Sequence, residues 1–170
     1  MSDVAAARDI SPEEGQRIVA EAATWKDTPY DARGANSIKG VLGDCSGSTF
    51  QIYKAAGFPY AYQITGSFMA YARSSGVFRS LAAGEPSQDG DILYWPGHMA
   101  IYSTFSSNPA NAMTTVTNTR TGGTSTFQND MWTAYHPGGQ PYGPFLSRKW
   151  SPVPPIVFRY QRSGAQPVQS

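Results

Sequence analysis

The most informative segment of this chain runs from Asp44 to Gly57 and reads DCSGSTFQIYKAAG. Its apolar residues recur at the spacing of one helix face, and aspartate is a favoured residue at a helix N-cap. Gly57 suits the end of the same helix, because glycine readily takes the left-handed conformation that follows a last turn. The segment therefore predicts a helix of about three turns that begins after Asp44 and carries Cys45 at its N-terminus.

Cys45 is the only cysteine of the chain, and two interpretations of it stay open. A thiol is a good nucleophile only as the thiolate, and a helix N-terminus lowers the thiol pKa through its unpaired N–H groups and dipole. The small residues Ser46 and Gly47 would leave the sulfur approachable, and the same N–H groups could hold an oxyanion. The alternative is a buried structural cysteine, a common position for a lone thiol.

Two apolar runs follow further along the chain, Asp91–Trp95 and His98–Thr104, and Pro96-Gly97 separates them. Such a pattern predicts two adjacent strands joined by a turn. A histidine at the start of the second strand could face the N-terminus of a helix packed on the sheet. His98 could then take the proton of the Cys45 thiol and return it to a leaving amine. A lone histidine before a strand is otherwise a surface or capping residue.

The remaining patterns predict helices first and strands afterwards. The further elements expected are a helix starting at Pro12 after a Ser11 cap, a helix over Ser67–Ser75, a strand over Met131–Tyr135 and a strand over Ile156–Tyr160. Residues 1–10 are predicted to be a loose N-terminus, and residues 106–125 a polar strand or a long loop. This order predicts one α+β domain over residues 1–170, with N-terminal helices packed on an antiparallel sheet.

Composition excludes several classes of function. Charged residues make up 15% of the chain and the net charge is +1, so no clustered positive charge is expected for nucleic acid or an anionic membrane surface. One cysteine and two histidines are too few for a Cys/His zinc site, and we expect neither metal nor cofactor. No apolar run reaches the roughly 20 residues needed to insert in a bilayer. The acidic N-terminus has no apolar core, which predicts synthesis in the cytoplasm without a Sec signal.

Three motifs in this order resemble the NlpC/P60 family of cysteine peptidases. They are Asp44-Cys45-Ser46-Gly47 with the helix that follows, GDILYW over residues 90–95, and GHMAIY over residues 97–102. Pro29-Tyr30 also resembles the family's P-Y element, and the resemblance covers roughly residues 25–105. It implies a papain-like core with Cys45 as nucleophile and His98 as base, and a substrate site that Tyr30 lines. We add Ser46, the neighbour of the nucleophile, to the substrate-binding residues.

The resemblance also implies a third polar residue that orients the imidazole. In the family a short hairpin follows the histidine strand, whereas this chain has the polar stretch 106–126 there. Asn118 would lie opposite His98 if residues 98–105 pair with residues 111–118. If residues 106–126 are an insertion, His136 is the candidate, because it then follows a segment that resembles the strand with the family's third residue. We favour His136.

The function implied by the resemblance is hydrolysis of an amide bond in peptidoglycan stem peptides, most often between D-glutamate and diaminopimelate. Without a leader, such an enzyme would be injected by a type VI-like secretion system and would act in the periplasm of a target bacterium. An antibacterial effector of this kind implies a cognate immunity protein in the producer. The alternatives are a phage-borne endolysin, a papain-like acyltransferase or deamidase acting on protein or lipid, and a non-enzymatic binding module.

One aromatic segment fits two roles. Residues 58–62 read FPYAY, which could form a substrate-facing aromatic wall or a packed loop, and we favour the packed loop.

Overall fold

In its N-terminal half, the described part of the chain contains three α-helices. The computed structural model describes residues 7–25, 28, 34–103, 113–117, 124–128, 131–133, 143–144 and 154–162. The helices are α1 (Pro12–Ala23), α2 (Cys45–Ala56) and α3 (Thr65–Ser74), and a short 3₁₀ turn covers Gly34–Asn36.

α1 starts after the predicted Ser11 cap, which forms a capping box with Glu14. The Glu14 N–H donates to the Ser11 hydroxyl at 3.1 Å, and the Ser11 N–H donates to the Glu14 carboxylate at 2.8 Å. These reciprocal bonds satisfy two N–H groups that have no partner inside the helix. Ile18, Val19 and Ala22 lie on the buried face of α1, at the spacing of one helix face.

The other two helices follow the predicted boundaries closely. α2 begins at Cys45 and ends before Gly57, whose φ of 97° is the expected left-handed cap. α3 begins at Thr65, two residues before the predicted Ser67. The earlier start follows from the Phe68 N–H, which donates to the Ile64 carbonyl at 3.0 Å and so brings the preceding residues into the first turn.

The described residues form nine strands, and the sequence predicts only some of them. They are β1 (Arg8–Asp9), β2 (Phe78–Ser80), β3 (Ile92–Trp95), β4 (His98–Tyr102), β5 (Met113–Thr117), β6 (Thr124–Gln128), β7 (Met131–Thr133), β8 (Gly143–Pro144) and β9 (Ile156–Arg162). The main sheet has the order β1-β9-β3-β4-β7-β8, with β2 also paired to β9, and every pairing is antiparallel. The α+β class and the antiparallel sheet are therefore confirmed. The predicted order is wrong at its start, because Arg8–Asp9, expected to belong to a loose N-terminus, forms an edge strand on β9 before α1 begins.

The polar stretch after β4 forms a separate hairpin. β5 pairs with β6, whereas β4 pairs with β7, with Ile101 opposite Trp132 and Tyr102 opposite Met131. The pairing of residues 98–105 with 111–118, on which the choice of Asn118 depended, is therefore wrong. Along the chain, β5 and β6 come between β4 and its partner β7.

Side chains alternate between the two faces of the sheet, and the helices cover one of them. Ile92, Tyr94, Met99 and Ile101 join the residues of α1, α2 and α3 in one large apolar cluster. On the other face a small cluster is formed by Leu93, Trp95 and Ala100. This period-two pattern places successive residues of β4 alternately towards and away from the helices.

A buried ion pair joins β9 to the turn before β3. The Arg159 guanidinium donates to both carboxylate oxygens of Asp91, at 3.0 and 2.9 Å. Asp91 is fully buried, and Arg159 also lies 3.7 Å from Asp9 and 3.5 Å from Glu85. The bidentate bond compensates for the loss of hydration of the Asp91 carboxylate.

Candidate functional site

Asp44 organises the N-terminus of α2. One of its carboxylate oxygens accepts the Gly47 N–H at 2.7 Å and the other accepts the Gly34 N–H at 2.7 Å. The 3₁₀ turn is thereby held directly on the first turn of α2. Gly47 has no room for a side chain, because a methyl group there would overlap the Gly34 carbonyl oxygen and the Ser37 hydroxyl.

Cys45 is the first residue of α2, as predicted, but its environment differs from the prediction. The residue is only 7% exposed and belongs to the large apolar cluster. Burial, with a smaller contribution from the nearby Asp44 carboxylate, raises the pKa of the Cys45 thiol to about 11. The expected lowered pKa and approachable sulfur are therefore wrong for this conformation, since desolvation outweighs the effect of the helix N-terminus.

Backbone N–H groups near the Cys45 sulfur have the opposite effect on the pKa of the thiol. The backbone N–H groups of Met99, Ser46 and Cys45 lie near the sulfur and lower the pKa of the thiol, although by less than burial raises it. Because Met99 belongs to β4, the Cys45 thiol lies between α2 and the sheet. The donors that would stabilise a thiolate are thus in place around a sulfur that burial keeps protonated.

The contact with Met99 fixes where the sulfur lies on the sheet. The Tyr102 N–H donates to the Asp91 carbonyl at 2.8 Å, so it points towards β3. Because N–H groups alternate between the two edges of a strand, the Met99 N–H points the other way, towards the edge that pairs with β7. The Cys45 sulfur therefore lies beside the backbone of β4, at the edge that pairs with β7.

His98 is the first residue of β4 and precedes Met99. It is fully buried, and its ring stacks on the Trp95 ring at 5.8 Å between centroids. Burial lowers the pKa of the imidazole to about 3. Because side chains alternate along a strand, the His98 Cβ lies on the same face of the sheet as the Ala100 side chain. The Cys45 thiol lies at the edge of β4 that pairs with β7. The structure therefore brings Cys45 and His98 to the same end of β4, with both side chains uncharged near neutral pH.

Ser46, the other predicted residue within the described part of the chain, is buried beside the thiol. Its hydroxyl lies 3.2 Å from the Tyr62 hydroxyl and 3.5 Å from the Asp44 carboxylate. The Tyr62 hydroxyl also lies against Gly34, where an added methyl group would meet it at 2.8 Å. The half-buried Tyr62 therefore borders the N-terminus of α2, a position that the sequence interpretation did not assign to it.

The segment Phe58–Tyr62 is packed for most of its length, as favoured from the sequence. Phe58 is fully buried and Tyr60 is 8% exposed. The Phe50 ring contacts both Tyr60 and Tyr62, with centroids 5.7 and 5.4 Å apart. The spacing of Tyr60 and Tyr62, two residues apart, was the signal in the sequence that both could face the same helix.

Three predicted site residues lie outside the described residues: Tyr30, Asn118 and His136. Of these, His136 follows β7, the strand that pairs with β4, by three positions along the chain. The identity of a third residue beside the imidazole therefore stays a prediction.

A cleft of about 400 Å³ lies apart from the thiol, between α1, α2 and the loop that follows the 3₁₀ turn. Its lining residues are Glu21, Trp25, Ser37, Ile38, Lys39, Gln51 and Ala55. Cys45 and His98 are not among them, so the candidate site is distinct from this cleft.

Within the described ranges, no group of three or more His, Cys, Asp or Glu side chains is placed to hold a metal ion. No helix in the part of the chain that the structure covers has the length and apolar character needed to cross a bilayer. In the comparisons with known proteins, no family model, no curated protein and no solved structure matches the chain.

Proposed function

We propose that this protein is a cysteine amidase with an NlpC/P60-type, papain-like core that hydrolyses an amide bond in peptidoglycan stem peptides. The bond we favour joins D-glutamate to diaminopimelate. The observation that carries the proposal is the position of the Cys45 thiol. It lies at the first residue of a capped helix and against the Met99 N–H, one residue from His98. The resemblance of the three motifs supplies the substrate class.

The proposed reaction begins with an uncharged thiol and an uncharged imidazole. The Cys45 sulfur attacks the carbonyl carbon while its proton passes to His98, so that a thiolate is never required at rest. His98 then gives this proton to the leaving amine as the C–N bond breaks. Water attacks the resulting thioester, the C–S bond breaks and the thiol is regenerated.

Backbone donors suited to the developing charge surround the sulfur. The N–H groups of Cys45 and Ser46 lie beside it, while Asp44 accepts the Gly47 N–H and keeps the first turn of α2 in shape. Donors fixed in this way stabilise an oxyanion without reorganisation during the reaction. We propose the N–H groups of Cys45 and Ser46 as the oxyanion hole.

Digestion of purified sacculi tests this proposal. We expect the wild type to release muropeptides with new D-glutamate and diaminopimelate termini, identified by mass. Cys45→Ala and His98→Phe should release none. Ser48→Ala should retain activity, because Ser48 is buried in the same helix and, among the residues that the structure describes, its hydroxyl donates only to the Cys45 backbone carbonyl. An active Cys45→Ala variant would refute the mechanism, and an inactive wild type would refute the proposed substrate.

The effector role is a further part of the proposal. Expression of the wild type directed to the periplasm of a susceptible bacterium should cause lysis, and expression of Cys45→Ala should not. Lysis by both variants, or by neither, would contradict an antibacterial amidase.

Burial of Cys45 favours a second candidate, a non-enzymatic binding module with the thiol in its core. A structural cysteine that is 7% exposed should resist iodoacetamide until the protein is unfolded with urea. Alkylation of the folded protein at a rate near that of the unfolded chain would exclude this candidate.

A further inference from the structure

A buried tyrosine joins α2, the helix that carries Cys45, to the sheet. Tyr53 is fully buried, and its hydroxyl donates to the Gly90 carbonyl in the turn before β3. Burial raises the pKa of Tyr53 well above the ordinary value, so the hydroxyl keeps its proton and stays a donor. The bond therefore connects the third turn of α2 to the start of the β3–β4 hairpin.

Gly90 is a fixed point on the sheet, because several elements meet at it. Its N–H donates to the Tyr102 carbonyl, at the end of β4, at 3.0 Å. Its backbone lies so close to α1 that a methyl group on Gly90 would meet the Gly15 Cα at 2.8 Å. The Tyr53 hydroxyl thus binds a carbonyl that β4 and α1 already hold in place.

Apolar contacts hold α2 on the sheet but do not fix its place along the sheet. One large apolar cluster contains residues of both elements, namely Cys45, Ile52 and Tyr53 of α2 with Met99 and Ile101 of β4. Attraction between apolar surfaces has no preferred direction, so a helix can shift along its axis or turn about it at small cost. A hydrogen bond weakens steeply as its distance and angle change, and therefore restricts both movements.

The geometry of α2 relates the position of Tyr53 to that of Cys45. Eight positions separate the two residues in the sequence, which places them about 12 Å apart along the helix axis and about 80° apart around it. β4 extends over a similar length, about 14 Å from His98 to Tyr102. With Tyr53 held beside the end of β4, the first turn of α2 lies beside its start.

We propose that Tyr53 is a positioning residue for the Cys45 thiol, because its hydrogen bond to Gly90 fixes the place of α2 on the β3–β4 hairpin. Without this bond α2 would shift on its apolar layer, and Cys45 at its N-terminus would move with it. The catalytic consequence rests on the proposed function, in which the sulfur has to lie beside His98. The position of the sulfur does not, so it can be measured without a substrate.

Alkylation of the folded protein by iodoacetamide at neutral pH measures access to Cys45, the only cysteine of the chain. Tyr53→Phe removes the hydroxyl and keeps the ring. We expect this variant to be alkylated about tenfold faster than the wild type, the change that corresponds to losing about 1.4 kcal/mol from the contact of α2 with the sheet. Urea below the unfolding transition brings the proteins to equal free energies of unfolding, so that global unfolding contributes equally to each rate.

Tyr160→Phe is the matched control. The Tyr160 hydroxyl is part of the same cluster and donates to the Pro59 carbonyl at 2.6 Å, beyond the Gly57 cap that ends α2. Its loss removes a bond of the same kind without releasing the helix, so alkylation of Tyr160→Phe should match that of the wild type at equal free energy of unfolding. Para-aminophenylalanine at position 53 restores an N–H donor and should restore slow alkylation.

Equal alkylation rates for Tyr53→Phe and Tyr160→Phe at equal free energies of unfolding would overturn the inference, since Tyr53 would then contribute to stability alone. Fast alkylation of the para-aminophenylalanine variant would also contradict a role for the hydrogen bond. With soluble muropeptides we expect Tyr53→Phe to lower kcat about tenfold and to leave KM unchanged, because Tyr53 is buried away from solvent.

The two proposals fail separately. Faster alkylation of Tyr53→Phe without cleavage by the wild type would refute the proposed function and support this inference. Cleavage by the wild type with equal alkylation rates for the two variants would support the proposed function and refute this inference.

Discussion

The buried imidazole of His98 makes the stability of this protein depend on pH in a window just below neutrality. His98 is fully buried, and burial lowers its pKa from the ordinary 6.5 to about 3. Below about pH 6.5 the unfolded chain therefore binds a proton that the folded protein excludes. The contribution of His98 to stability is complete above that pH and is lost as the pH falls from about 6.5 towards about 3.

The size of the effect follows from the two pKa values. Between about pH 7.5 and about pH 5, protonation of the unfolded imidazole alone lowers the free energy of unfolding by about 2 kcal/mol. The figure depends little on the folded pKa, provided that this pKa lies well below about 5. Most aspartate and glutamate side chains titrate below the window, so the histidines dominate within it.

Urea unfolding at the two pH values, followed by tryptophan fluorescence, measures this loss. His98→Phe keeps a ring next to Trp95 and removes the titrating group, so its stability should change little across the window. His136→Gln removes the other histidine of the chain and should retain the loss of about 2 kcal/mol. If the wild type and His98→Phe lost equal free energy on acidification, the argument from burial of His98 would be refuted.

Two further predictions concern stability, and both are measured by chemical denaturation. Gly47→Ala should lower the free energy of unfolding by about 1–3 kcal/mol, because its methyl group overlaps backbone and side-chain oxygens. Gly66→Ala in α3, where the nearest atom to an added methyl lies at 3.8 Å, should instead raise it by about 0.5 kcal/mol; equal effects of the two variants would contradict the close approach at Gly47. Arg159→Met should cost about 3–5 kcal/mol, since it leaves the Asp91 carboxylate buried without its bidentate partner. A loss below about 1 kcal/mol would mean that Asp91 is hydrated or protonated in the folded protein.

The predictions that the structure confirms rest on contacts between residues close in sequence. The Asp44 cap, the start of α2 at Cys45 and its end before Gly57 all depend on one or two turns of backbone. The hairpin of β3 and β4 depends on the two residues between Trp95 and His98. Local hydrogen bonds and backbone preferences determine such features, so a single sequence is enough to predict them.

The pairing of β4 is different, because its partner strand lies far along the chain. Asn118 is a candidate third residue only if β4 pairs with the next polar segment. The structure pairs β4 with β7 and leaves β5 and β6 as their own hairpin. The sequences of β5 and β6 are mostly Ser and Thr and allow either pairing, since they carry no alternating apolar pattern that distinguishes one register from the other.

The sequence alone predicts that a single thiol lies at a helix N-terminus and that a histidine begins the second strand of a hairpin. The ionisation of these groups was decided by packing, since burial raises the pKa of Cys45 and lowers that of His98. Desolvation depends on every atom that surrounds a group, and those atoms come from α2, β4 and the segment with Tyr60 together. A helix terminus can be recognised from four consecutive residues, whereas the dielectric environment of its sulfur exists only after the chain has folded around it.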